Sequence, residues 1–225
     1  MDKALGWRAD FRANLFNGSR ACAILPAALL TLLALFVTTA QAQTVASLPT
    51  RSKPLAAQGP ADPTAAWVEF CIGMPLECAV DTGEKATVGL TPELWATINR
   101  VNREVNHEIK PLTDRDHWGV VDRWDFAEDG YGDCEDYQLL KRKILAEAGL
   151  SRRAMRMTVV LDEEDAGHAV LMVRTNRGDF LLDNKRDAVV AWSETSYTFV
   201  KREGHDSAAW VSLEWEASPV ETAKQ

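Results

Sequence analysis

The chain has 225 residues, 46% of them hydrophobic, with 25 lysines and arginines against 33 aspartates and glutamates, a formal net charge of −8. That surplus of acid argues against nucleic-acid binding, whose affinity comes largely from basic side chains on phosphate. No internal repeat is apparent.

In chain order, residues 1–42 are expected to be a signal peptide. Lys3, Arg8, Arg12 and Arg20 outweigh Asp2 and Asp10, Ala21 to Val37 is apolar, and Ala40-Gln41-Ala42 has the small-x-small form of a cleavage site. A membrane anchor is the alternative, opposed by Pro26 and by the shortness of the apolar run. Removing the leader's four basic and two acidic residues leaves 21 against 31, a net charge of −10. Residues 43–65, rich in Ala, Pro, Thr and Ser, are expected to be a flexible leader, 66–217 one folded domain and 218–225 a C-terminal tail.

Cys71 and Cys78 flank Gly73 and Pro75, so a short disulfide loop can close between them in an oxidising compartment. Two buried thiols are the alternative, and a zinc site would lack a second ligand pair. If they pair, Cys134 is the odd thiol of an exported chain, either reactive or joined to another molecule.

Thr91-Pro92-Glu93 is a helix start, with an N-cap threonine and proline in the first turn. Leu94, Ile98, Val101 and Val105 then mark one stripe of a helix running to about Glu108. Leu112 to Asp129 reads as a loop carrying Asp114, Asp116, His117, Trp118, Trp124 and Asp125. Its two tryptophans either line a groove for an extended substrate or plug the core. A second helix is expected from Asp133 or Cys134 to Gly149, with Tyr137, Leu140, Ile144 and Ala148 inward. Residues 155–161, 168–174 and 179–182 are short, branched and apolar, separated by turn sequences, and read as antiparallel strands. Trp192, Tyr197 to Val200 and Trp210 to Leu213 offer one to three more. Helices first and strands second predict an α+β fold, a helical layer on an antiparallel sheet. The acidic run Asp162 to Asp165 is expected to be a solvated turn.

Chemistry concentrates in Gly130-Tyr-Gly-Asp-Cys-Glu-Asp-Tyr-Gln138. A cysteine at a helix start meets unpaired N–H groups and the positive end of the helix dipole, which favour thiolate. Asp133, Glu135 and Asp136 oppose this unless a cation neutralises them. Their alternative role is capping and first-turn acid. Of the four histidines, His107 lies at a helix end, His117 in the tryptophan-rich loop and His205 beside Asp206 in a polar stretch. His168 opens an apolar strand, and a hairpin turning near 175–178 brings Asp183 nearly opposite it. Cys134, His168 and Asp183 can therefore meet as nucleophile, base and orienting acid. The alternative is that His168 is a satisfied polar residue at a strand end.

Gly-Asp-Cys-Glu-Asp-Tyr followed by Lys141, then His168-Ala-Val-Leu, then Leu182-Asp183-Asn184, resembles the bacterial transglutaminase-like cysteine proteinases, from roughly Trp67 to Leu213. The resemblance implies a papain-like, transglutaminase-like core and a periplasmic, calcium-dependent endopeptidase with Cys134, His168 and Asp183 catalytic. It implies that Asp133 and Glu135, with Asp136 as a third, hold calcium, and Asn184 is a candidate carbonyl ligand. It also implies cleavage of a large surface adhesin near its N-terminus, releasing biofilm, under control of an inner-membrane cyclic-di-GMP receptor of the LapD type. The alternatives are an acyltransferase using the same triad and a non-catalytic calcium-dependent binding module.

Overall fold

A computed structural model describes residues 47–213; the expected signal peptide and C-terminal tail lie outside the described residues. Helices α1 (Ala65–Gly73), α2 (Pro75–Cys78), α3 (Pro92–Glu108), α4 (Asp114–His117) and α5 (Cys134–Glu147) come largely before the main strands. The strands are β1 (Gly59–Ala61), β2 (Lys110–Pro111), β3 (Tyr131–Gly132), β4 (Met155–Leu161), β5 (Gly167–Thr175), β6 (Gly178–Asp183), β7 (Arg186–Ala191), β8 (Thr198–Glu203) and β9 (Trp210–Ser212). Seven of them form an antiparallel sheet in the order β1-β9-β8-β4-β5-β6-β7. The α+β expectation holds.

α3 begins where predicted, with Thr91 Oγ1 accepting the Leu94 N–H. It buries Ile98, Val101 and Val105 against β7 and α5, while Leu94 is only half-buried. α5 also starts as expected, but its inward face is turned by about one residue. Cys134, Tyr137, Gln138, Lys141, Arg142 and Leu145 are buried, whereas Leu140 and Ile144 are half-buried and Ala148 is exposed. Apolar periodicity misled here because the helix buries polar side chains. Arg142 meets both oxygens of Glu203 at 2.8–2.9 Å, and Glu203 also accepts from Trp67 Nε1 and the Met157 N–H. Such a pair persists in a core because every lone pair is engaged.

β4 and β5 are buried along nearly their whole length, so both faces of the sheet are covered. α3 and α5 cover one face over Met157, Val159, Leu171 and Val173. The other carries Val160, Val170, Met172, Leu181, Tyr197 and Phe199, with Leu55 packed on them. Leu55 belongs to the expected flexible leader, which the structure corrects over residues 47–65. Ser52 N–H donates to Arg177 O, Leu55 N–H to Asp179 Oδ2 and Gln58 N–H to Ser212 O, and β1 then adds an edge strand to β9. Gly178 permits this strap: its φ is +116°, and a Cβ there would lie 2.6 Å from Ser52 O. The segment lacks periodicity because backbone pairing and single anchors, rather than an apolar face, hold it.

Two further corrections concern short elements. Asp162 is buried, accepting the Glu164 and Ala166 N–H groups and the Lys185 ammonium, so it staples the β4–β5 turn and is not a solvated acid. Trp192 opens a 3-10 turn after β7 rather than a strand. Trp124 plugs the core edge-on to Trp210, while Trp118 is 40% exposed and stacks on His117.

Cys71 and Cys78 form a disulfide that ties α1 to α2. Closing so short a loop is worth about 2 kcal/mol through the unfolded chain. Replacing both cysteines with serine is expected to lower the unfolding free energy by about that amount, read from the urea midpoint. An unchanged midpoint would show that the α1–α2 corner holds itself without the bond.

Candidate active site

The parallel pairing of β2 with β3 brings the chain leaving α3 alongside the residues that enter α5, so the loop between them wraps the start of α5. Loop backbone hangs from acids on that helix and on α4. Asp136 Oδ1 accepts the Asp125 N–H at 2.7 Å, Asp133 Oδ2 accepts the Asp114 N–H at 3.3 Å, and Asp114 Oδ2 accepts the Arg123 N–H. Gly132 is required at the approach: a Cβ there would lie 2.7 Å from Asp136 Oδ2.

Cys134 is the first residue of α5 and only 3% exposed. Its Sγ lies 3.1 Å from Glu135 Oε2 and accepts the Ala169 N–H at 3.4 Å, which seats the sulfur one residue from His168. Burial first, and then the Asp133 charge, push the thiol up to about 12, outweighing the hydrogen bonds that would lower it. A helix N-terminus alone does not make this sulfur a thiolate.

The expected His168–Asp183 contact is present: His168 Nε2 is 2.9 Å from Asp183 Oδ1, both residues buried. The β5–β6 ladder pairs Leu171 with Leu182, so the two meet diagonally rather than directly opposite. A register shift between Leu181 and Asp183 in the β6–β7 pairing re-aims the acid at the strand's end. Asp183 also accepts the Tyr197 hydroxyl at 2.6 Å and the Lys185 N–H at 2.9 Å. Burial would raise its pKa, but His168, Tyr197 and the Lys185 N–H hold it at about 2. With Nε2 on the carboxylate, His168 Nδ1 has no hydrogen-bond partner and is the nitrogen left to accept a proton. The other histidines sit elsewhere on aspartates: His107 on Asp187, His117 on Asp129 and His205 on Asp206.

The acids around Cys134 are not ordinary first-turn residues. Glu135 and Asp136 are wholly buried. Burial and mutual repulsion raise Asp133, lift Glu135 well above its usual range, and push Asp136 to about 9 and Asp114 to about 6. Asp133 Oδ1 and Glu135 Oε1 are buried without a hydrogen-bond partner. Oxygens of Asp114, Asp133 and Asp136 lie within 4.8 Å of one another, as do those of Asp114, Asp122 and Glu135. Crowded, desolvated carboxylates with spare lone pairs suit a hard cation such as calcium. Of the expected ligands Asp133, Glu135 and Asp136, all lie in this cluster, but Asp114 joins its two halves. Sequence reading placed Asp114 in a loop crowded with acids, and only the β2–β3 closure distinguishes it from Asp116 or Asp129. The Asn184 carbonyl is engaged by Gln138 Nε2 at 3.4 Å.

A family model described as bacterial transglutaminase-like cysteine proteinase BTLCP matches residues 57–218. Among solved structures, Legionella pneumophila LapG aligns with a TM-score of 0.45 and 23% identity over 52% of this chain and 68% of that one. Its calcium-bound form aligns at 0.46 and 22% identity, over 56% and 73%. No curated protein matches the chain.

The raised acids set a sign for stability. Asp114, Glu135 and Asp136 bind protons more tightly folded than unfolded, so without cation the folded state holds more protons between pH 5 and 7. Stability then falls as pH rises through that window. In chelator the thermal midpoint is expected to drop by about 5 °C from pH 5 to 7, and millimolar calcium should remove most of the drop. A midpoint that rises with pH in chelator would contradict this electrostatic account.

Proposed function

This chain belongs to the bacterial transglutaminase-like cysteine proteinases, and on that premise we propose that it is a calcium-dependent endopeptidase using Cys134, His168 and Asp183. The observation that carries the reading is the buried His168–Asp183 pair, with Nδ1 left open one residue from the N–H that holds Cys134 Sγ. His168 takes the thiol proton as the sulfur attacks the scissile carbonyl carbon. It returns that proton to the amine as the C–N bond breaks, leaving a thioester. A water, deprotonated by the same nitrogen, attacks the thioester and releases the acid, with the proton going back to the sulfur. Asp183, fixed by its other donors, keeps Nε2 protonated and Nδ1 basic throughout. The Cys134 backbone N–H is the donor this mechanism assigns to the developing oxyanion.

Asp114, Asp133, Asp136 and Glu135 are the residues that would hold calcium. When bound, the ion supplies the counter-charge that this carboxylate cluster lacks, which lowers the barrier to forming thiolate beside it. The motif resemblance supports an adhesin's N-terminal region as substrate and a cyclic-di-GMP receptor as regulator. The leader sequence and the Cys71–Cys78 disulfide support a periplasmic setting, where such a bond persists.

Incubating the mature protein with the N-terminal region of a large adhesin from the same cell is expected to give one cleavage in calcium and none in chelator. Cys134→Ala should abolish cleavage, and Asp114→Asn should raise the calcium needed by at least ~10-fold, through loss of one anionic ligand. Cleavage by purified Cys134→Ala would overturn the mechanism. An Asp114→Asn protein with the wild-type calcium requirement would remove Asp114 from the ligand set.

A further inference from the structure

Eight residues along α5 from Cys134, about 12 Å at the rise of a helix, Arg142 borders a cavity. Arg152 and Arg153 from the turn before β4, Arg156 of β4, Glu77 of α2 and Glu203 of β8 also line it. Four guanidinium groups therefore meet two carboxylates. Three of the four are matched: Arg142 Nη1 meets both Glu203 oxygens, Arg152 meets both oxygens of Glu77, and Arg153 reaches Asp206 at 2.6 Å. Arg156 is only 4% exposed and has no carboxylate partner among the described residues. Its Nη2 donates to the Arg153 carbonyl, and its Nε has no acceptor.

The acids around Arg156 are already engaged. Glu203 takes Trp67 Nε1 and the Met157 N–H besides Arg142. Asp179 serves Arg174 at 3.2 Å and Arg202 at 3.9 Å, and also accepts the Leu55 N–H. Burial lowers the Arg156 pKa to about 10; Glu203 opposes this, while Arg142, Arg174 and Arg202 add repulsion. Arg142, paired as it is, likewise leaves its Nε without an acceptor. Two buried guanidinium groups on the wall of one cavity, one from a helix and one from a strand, thus carry open N–H donors. A charged donor left open in a protein interior is costly, and the chain holds no further carboxylate there to relieve it.

We propose that this cavity is an anion site, separate from the catalytic residues, that takes a small oxyanion of the phosphate class on Arg156 and Arg142. The donor chemistry selects the class: guanidinium groups present N–H pairs that match the oxygens of phosphate, and an anion with several oxygens can take donors from two elements at once. Bound there, it supplies the acceptor that Arg156 lacks and ties α5 to the start of β4 beside the Cys71–Cys78 corner. Free phosphate and a phosphomonoester share this chemistry.

The test uses calcium-free mature protein, so that phosphate meets no calcium. About 20 mM phosphate is expected to raise the thermal midpoint by about 4 °C over sodium chloride of equal ionic strength, as a site of millimolar affinity gives. Arg156→Met should lose that rise, with a midpoint in chloride no lower than wild type because an unmatched buried charge is gone. Arg100→Met, on the exposed side of α3, should keep it. Should Arg156→Met not fold, Arg156→Lys, which keeps the charge and loses the fork, is expected to weaken phosphate binding at least ~10-fold by titration calorimetry. Glycerol 3-phosphate run alongside separates the sources: a rise equal to that of phosphate assigns a site open to phosphomonoesters, and no rise assigns one for the free anion. No rise beyond chloride in the wild type would overturn the proposal. An equal rise in Arg156→Met would mark the general salting effect of phosphate and overturn it as well.

Discussion

The crowding of carboxylates at the start of α5 governs the chemistry of this molecule. A helix N-terminus stabilises negative charge by only about 0.3–1 kcal/mol. Removing a carboxylate from water costs several, and Asp133, Glu135 and Asp136 share this one helix start with Asp114 from α4. The dipole cannot offset that cost, as the rise of every one of these acids and of the Cys134 thiol shows. Protons or a cation must make up the difference. Protons would leave the neighbouring sulfur as an inert thiol, whereas a divalent ion removes repulsion without occupying it. Cys134 and the carboxylate cluster are in this sense one electrostatic unit.

The other half of the site obeys the opposite rule. Asp183 is buried but surrounded by donors from His168, Tyr197, Lys185 and Arg186, so its charge is held rather than shed. Those donors come from a sheet covered on both faces, by helices on one side and by the strap around Leu55 on the other. Covering the second face keeps water from Tyr197 and from the strands that carry His168 and Asp183. The strap is remote from the thiol in sequence, yet it packs on the face of the sheet behind the strands that carry His168 and Asp183.

Sequence reading found what short-range rules govern. Thr91-Pro92 fixed the start of α3, Gly-Asp-Cys the start of α5, and branched apolar runs the strands β4 to β6. His168 and Asp183 were legible because a hairpin with a recognisable turn relates them. What escaped depends on distant pairing. β1 and the strap have no apolar face of their own, and β7 mixes Arg186 and Asp187 with valines. Asp114 acquires its role only when β2 meets β3. The inner face of α5 was misjudged for a different reason. Apolar periodicity assumes that polar residues face water, and here Gln138, Lys141 and Arg142 do not.

A helix whose buried side mixes Glu135, Asp136, Gln138, Lys141 and Arg142 with Tyr137, Leu139 and Leu145 gains less from apolar burial than an apolar face would, so part of its docking is supported from elsewhere. Apolar side chains of the sheet and α3 supply that support, Met157, Val159, Leu171 and Ile98 among them, all buried at roughly 1.5–3 kcal/mol each. At its lower end, Arg142 pairs with both Glu203 oxygens through Nη1 and leaves its Nε open. Nearer the thiol, Lys141 Nζ has no hydrogen-bond partner, Gln138 leaves its Oε1 open, and Glu135 leaves its Oε1 open beside the sulfur. Open polar atoms along one buried helix face that ends at Cys134 are what a site built for charge rearrangement requires. Groups whose hydrogen bonds were already saturated could not respond when a cation binds or a proton moves.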